Sequence, residues 1–147
     1  MKMRVQYTLA SEDDFSALAE LRLEAMRESL QAIGRFDRER SIQRFRSNFS
    51  PNQTYKINSG KELLGFYATT KDDDHLRIDH LYIHPGRQSR GIGTEVMNRI
   101  IAESKIDKLP IRLGALKQSR SNEFYRRHGF KVSSEEEWDT YYERPVS

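Results

Sequence analysis

The sequence predicts an α+β fold: a mixed, mostly antiparallel central sheet of about seven strands flanked by about four helices. Three observations predict it. Short apolar segments bounded by turn residues recur along the chain, and segments with apolar residues three and four apart lie between them. A strand, a glycine-rich loop and a helix at residues 76–101 are followed by one more short strand. That order requires a parallel pair within an otherwise antiparallel sheet.

The elements follow in chain order. Residues 5–9 read as a first strand. Ser11, with Asp13 and Asp14 behind it, is a helix start, because acidic side chains favour the positive end of a helix. Leu18, Leu21 and Ala25, then Leu23, Met26, Leu30 and Ile33, mark the helix, and Gly34 is its stop. Asp37 caps a second helix with Ile42, Phe45 and Phe49 on one face and Pro51 just beyond. Residues 55–57 and 63–70 form a hairpin about Asn58-Ser59-Gly60, and Asp72-Asp73-Asp74 turns the chain into a strand at 76–83. Within that strand Arg77, Asp79, Leu81 and Ile83 face one way, and Leu76, Ile78, His80 and Tyr82 the other. Ile92, Val96, Ile100 and Ile101 stripe a third helix that ends before Asp107. Residues 111–116 form a strand parallel to its partner, and residues 122–128 a last helix, capped by Ser119 or Ser121 and stopped at Gly129. Residues 130–132 and 138–144 close the sheet.

Composition narrows the function. The 147 residues carry no repeat or linker tract, so one domain spanning 1–147 is expected. No apolar run reaches membrane-span length, and the first residues lack a signal peptide's apolar region. There is no cysteine, which excludes a thiolate nucleophile and suits a cytoplasmic location. The net charge of +3, from 25 basic and 22 acidic residues interrupted by acidic runs at 72–74 and 135–137, is a poor match to nucleic acid. A single anionic ligand is the more economical partner. His75, His84 and His128 are not spaced as a metal set, so no metal is expected.

The chemistry concentrates at Ile83-His84-Pro85-Gly86-Arg87-Gln88-Ser89-Arg90-Gly91-Ile92-Gly93-Thr94. A strand opens here into a loop that leads straight into a helix, whose first amides have no intrahelical acceptor and receive anions well. It is not a P-loop, since no Lys-Ser or Lys-Thr pair follows the second glycine. It is not a dinucleotide fingerprint either, since Val96 stands where the third glycine belongs. A tight turn that uses glycine only for backbone freedom is the plain alternative.

Gln88-Ser89-Arg90-Gly91-Ile92-Gly93 resembles the Gln/Arg-x-x-Gly-x-Gly/Ala signature of the GNAT N-acetyltransferase superfamily. Phe124-Tyr125-Arg126-Arg127-His128-Gly129-Phe130 is similar to its later Phe-Tyr-x-x-x-Gly-Phe landmark. The element order agrees along nearly the whole chain. The resemblance implies a GNAT-like sheet and acetyl transfer from acetyl-CoA to a primary amine, with direct attack in a ternary complex.

It also implies roles. The backbones of Gln88, Ser89, Arg90, Gly91, Ile92, Gly93 and Thr94 would hold the pyrophosphate, with Arg87 and Arg90 beside it. The backbone of Leu81, Tyr82 and Ile83 would meet the pantetheine arm and polarise the thioester carbonyl. Tyr125 would protonate the leaving thiolate, and Asn122 would contact the coenzyme, although Gln118 stands where another asparagine is frequent. Asp79 matches the position of a glutamate base in some amine acetyltransferases, its shorter side chain favouring a water relay; His80 is the rival but points to the opposite face.

The acceptor is expected to be a small-molecule amine, with Arg22, Met26, Arg35, Phe36, Trp138, Tyr141 and Tyr142 as candidate walls. A catalytically inactive acyl-CoA-binding module, and peptide or protein amine acetylation, are the alternatives. The family also makes a homodimer an expectation.

Overall fold

The computed structural model describes residues 5–88 and 91–146. Seven strands, β1 (Gln6–Leu9), β2 (Thr54–Ser59), β3 (Glu62–Lys71), β4 (Leu76–Ile83), β5 (Ile111–Leu116), β6 (Lys131–Glu135) and β7 (Asp139–Arg144), form a sheet in the order β1-β2-β3-β4-β5-β7-β6. The helices are α1 (Phe15–Ala32), α2 (Arg38–Asn48), α3 (Ile92–Asp107) and α4 (Ser121–Arg127). β4 and β5 pair in parallel; β1–β2, β2–β3, β5–β7 and β6–β7 are antiparallel. The mixed, mostly antiparallel sheet of seven strands with four helices is the class the sequence predicts.

The chain divides into two units, one running to Thr69 and adding His80–Gly93, the other comprising Thr70–Asp79 and Thr94 onward. In the first, Ser11 and Asp14 form a capping box ahead of α1: the Ser11 amide donates to Asp14 Oδ2 at 2.8 Å. Partial burial alone would raise the Asp14 pKa, yet the Ser11 amide and the Lys56 ammonium hold its carboxyl below the usual range. Asp37 caps α2 by accepting from the Arg40 amide at 3.0 Å, and Gly34 ends the α1 segment at φ 68°. Leu18, Leu21, Phe45 and Phe66 pack as one core cluster, with Phe15, Phe49 and Tyr82 against it. The Phe15 and Phe45 rings stack at 5.4 Å.

In the second unit Val96, Met97, Ile100, Ile111 and Tyr142 are almost fully buried. α3 extends one residue further than expected, to Asp107, which pairs with Lys71 at 2.7 Å. α4 starts at Ser121, whose amide donates to Ser119 Oγ at 3.1 Å.

The closing strands depart most from expectation. β6 runs over Lys131–Glu135 and is exposed throughout, while β7 begins after Trp138 and lies between β5 and β6. The reason is burial: Thr140 and Tyr142 are buried on β7, so it takes the inner position and leaves the polar Ser133-Ser134-Glu135 run to the edge.

Candidate active site

In the first unit, the end of β4 is tied to β3 where the His84 amide donates to Leu64 O at 2.7 Å. Pro85–Arg87 then form a 3-10 turn. The His84 ring accepts from the Gly86 amide at 3.1 Å, and the Arg87 amide donates to His84 O at 2.8 Å. Gln88 turns back, its Nε2 donating to Ile83 O at 3.1 Å, so its side chain braces the strand end. Gly91 takes φ 80°, a conformation glycine adopts without penalty, and α3 begins at the next residue. The amides of Ile92, Gly93 and Thr94 therefore stand in a first helical turn, where no intrahelical acceptor exists and the helix dipole favours an anion. Ser89 and Arg90 lie outside the described residues.

The Arg87 guanidinium is engaged by Glu62, with Nη2 donating to Oε2 at 2.6 Å. Both partners are partly exposed, so releasing Arg87 to a phosphate costs at most about 1 kcal/mol. Glu62 was invisible as its partner in the sequence, since the contact joins residues brought together only by the sheet.

Of the candidate acceptor walls, Arg22 is buried on α1, and Phe36 lies 4.7 Å under the Arg27 guanidinium. Leu81, Tyr82 and Ile83 are half-buried, and His80 is buried among Phe45, Phe66 and Tyr82.

In the second unit the parallel ladder of β4 and β5 registers Leu76 with Ile111 and Arg77 with Arg112. Asp79, next on that face of β4, accepts from Thr70 Oγ1 at 2.6 Å and from Arg77 Nε at 2.6 Å. The bond to Asp79, with the attraction of its charge, makes the Arg77 guanidinium hold its proton more tightly still. A carboxylate has about four lone-pair sites, so Asp79 keeps about two for a proton or a water. Arg77 was legible as a partner, two residues away on the same strand face. Thr70 needed the β3–β4 turn.

Tyr125 is 7 % exposed, its ring against Phe124, Phe130 and Tyr142 at centroid distances of 5.6, 5.7 and 6.0 Å. Asn122 is buried, and its amide nitrogen and oxygen are both engaged. Nδ2 donates to Leu116 O at 2.7 Å and to Ser119 O at 2.8 Å, and Oδ1 accepts from the Tyr142 hydroxyl at 2.7 Å. This is the capping alternative for Asn122 in full: both amide hydrogens hold the turn between β5 and α4, and neither is spare for a coenzyme. Tyr142, a candidate wall, is instead a core residue, 1 % exposed, that links Asn122 to the Tyr125 ring. The Tyr141 ring fills the space above Gly114, where a Cβ would lie 2.8 Å from its Cε1.

The fold is a seven-stranded mixed sheet with four helices, and comparison with known proteins identifies the family. The acetyltransferase (GNAT) domain model matches residues 24–140, and the chain belongs to the GNAT acetyltransferase family. Among solved structures it is similar to the PaiA N-acetyltransferase of Thermoplasma acidophilum, determined in complex with coenzyme A. The identity is 20%, with 97% of this chain and 99% of that one covered, at a TM-score of 0.77. It is also similar to an acetyltransferase of Thermus thermophilus, at 16% identity, 99% and 100% coverage and a TM-score of 0.76. The ribosomal-protein-S18-alanine N-acetyltransferase of Escherichia coli aligns at 13% identity, 98% and 95% coverage and a TM-score of 0.73. At these identities the likeness is one of fold. Comparison with curated protein sequences gives no match. Among the described residues, no helix is long and apolar enough to cross a membrane.

Proposed function

We propose that the chain is an N-acetyltransferase that moves an acetyl group from acetyl-CoA to the primary amine of a small molecule. The observation that carries this reading is the braced strand end at Ile83 followed by Gly91 at φ 80° and the start of α3, in a chain of the GNAT family. Such a loop offers several amide donors and a helix dipole to a pyrophosphate. The amine nitrogen attacks the thioester carbonyl carbon and forms the C–N bond. The developing oxyanion takes hydrogen bonds from backbone amides of the β4 end. The C–S bond then breaks, the Tyr125 hydroxyl gives its proton to the departing thiolate, and the proton shed by the newly acylated nitrogen restores the phenol. Asp79, directly or through a water, accepts the proton that the incoming ammonium must lose. The chain has no cysteine, so no thiol carries an acyl-enzyme intermediate.

The test is a thiol-release screen across small amines, aminoglycosides and peptides, run with an acetyl-CoA thermal shift. Acetyl-CoA at about one hundred times its Kd stabilises a binder by about 2.7 kcal/mol, which moves Tm by about 5–10 °C. Stabilisation with saturable, amine-dependent thiol release is expected. Stabilisation with no release for any amine identifies an inactive coenzyme-binding module, and release confined to peptides moves the acceptor class. No stabilisation refutes the donor assignment.

A further inference from the structure

We infer that Arg22 is an anion-recognition residue, and that the acceptor amine carries a carboxylate which the Arg22 guanidinium receives. The anion site rests on the first unit alone; its occupant rests on the acetyl-transfer reading.

Arg22 is 8 % exposed, and among the described residues no Asp or Glu lies within ion-pair distance of it. Its hydrogen bonds to protein both come from Nη1, to Ser41 Oγ at 2.7 Å and to Ser41 O at 3.3 Å. Nε is buried and makes none. The remaining surroundings are aromatic: Cζ is 5.8 Å from the ring centroids of both Phe45 and Tyr82. A guanidinium keeps its proton under all ordinary conditions and carries five N–H donors. Arg22 is therefore a full positive charge withdrawn from water, with neutral partners and an unused donor edge.

The other arginines sharpen the contrast. Arg27, Arg38, Arg46, Arg77, Arg87 and Arg112 are partly or largely exposed, and each pairs with a carboxylate. The arginines that need a counter-charge least have one, and the buried arginine lacks it. Burial of an unpaired charge is among the more expensive features a fold can keep. A ligand carboxylate removes the imbalance. With Nη1 held by Ser41, the Nε edge remains, and that is a side from which arginine grips a planar carboxylate in two parallel bonds.

Arg22 also stands at a boundary on α1. The buried residues of the helix end at Leu23, while Met26 and Leu30, four and eight positions on from Arg22 along the same face, are half-buried. The charge thus stands at the head of a short, half-buried apolar strip. The matching acceptor is an amino carboxylate with an apolar body, the chemistry of an α-amino acid or a close derivative.

The experiment compares matched compounds in two readouts. Thiol release from acetyl-CoA is followed with a panel of α-amino acids and their carboxamides. Binding of the N-acetylated amino acids and their carboxamides is measured by calorimetry, which needs no turnover. The carboxylate forms are expected to be preferred by about tenfold to a hundredfold in kcat/KM and in Kd, the range for a charged hydrogen-bonded pair. Arg22→Met should abolish the preference, and Arg22→Lys, which keeps the charge but loses the fork, should reduce it. If Arg22→Met does not fold, Arg22→Lys decides. Equal values for carboxylate and carboxamide in the wild type, or no binding of any carboxylate, overturn the inference and leave acetyl transfer to other amines standing. A preference unchanged in the variants that fold also overturns it. Carboxylate-selective, Arg22-dependent binding without thiol release sustains the anion site and removes the transfer reading instead.

Discussion

Gly65 lies on β3 where the backbone of Tyr82 and Ile83 passes close by, and Gly65→Ala tests that approach. A Cβ built on Gly65 falls 2.3 Å from Tyr82 O, 3.0 Å from Ile83 Cδ1 and 3.1 Å from Ile83 Cα. Ordinary contact begins at 3.4 Å, so the strands must part by about 1 Å. The first obstacle is a backbone oxygen, which no rotamer change can move aside. Overpacking of this kind costs about 1–3 kcal/mol, and the stiffer unfolded chain returns about 0.4–1 kcal/mol. The net loss is about 1–2 kcal/mol, or a fall in Tm of about 3–6 °C for a chain of this size. Urea unfolding reads it directly as a lower midpoint with an unchanged slope. The displaced segment leads into His84 and Gln88, which are held by Leu64 O and Ile83 O. Acetyl-CoA affinity, followed by calorimetry, should therefore weaken by about tenfold or more. A Gly65→Ala protein with wild-type midpoint and wild-type affinity would refute the argument that close strand approach selects glycine here.

Three further outcomes are expected. Tyr125→Phe keeps the ring contacts with Phe130 and Tyr142 and should lower kcat by about 10²-fold or more with acetyl-CoA affinity unchanged; undiminished turnover removes the general-acid role. Asp79→Asn should lower kcat by about 10²-fold or more while changing stability by less than about 1 kcal/mol, because its partner Arg77 is half-exposed; undiminished turnover assigns the base elsewhere. At His128, burial and the neighbouring Arg127 and Arg144 charges hold the imidazole below its ordinary value of 6.5. The unfolded chain then binds the extra proton between the lowered native value and 6.5, so stability falls as pH drops through that window. His128→Gln should flatten this part of the stability–pH curve, measured by urea midpoints from about pH 7.5 to about pH 5; a slope identical to wild type counts against it.

Local patterns carried most of the fold. The Ser11 and Asp37 caps, the Gly34 and Gly129 stops and the alternation along residues 76–83 all act over a few residues, and each is where its pattern placed it. The third helix and the parallel strand after it were legible for the same reason. The order of the last two strands was not, because it depends on which of two short segments buries more surface, and Thr140 and Tyr142 decide that only against the rest of the sheet. Most side-chain commitments within each unit were not legible either. Arg87 is with Glu62, Asp79 with Thr70 and Arg77, and Asn122 with Tyr142.

The sequence by itself determined a family and a glycine-rich loop leading into a helix, since Gln88, Gly91 and Gly93 before a helix and Tyr125 before Gly129-Phe130 are contiguous signals. Those motifs work through backbone conformation and helix termini, which are local properties. Tertiary structure alone decided which charges are answered. Arg22 reads in the sequence as one arginine among many, and only the packing of α1 against Ser41, Phe45 and Tyr82 makes it a buried cation with no carboxylate partner among the described residues. Burial and counter-charge depend on residues far apart in the chain, and no spacing rule along the sequence encodes them.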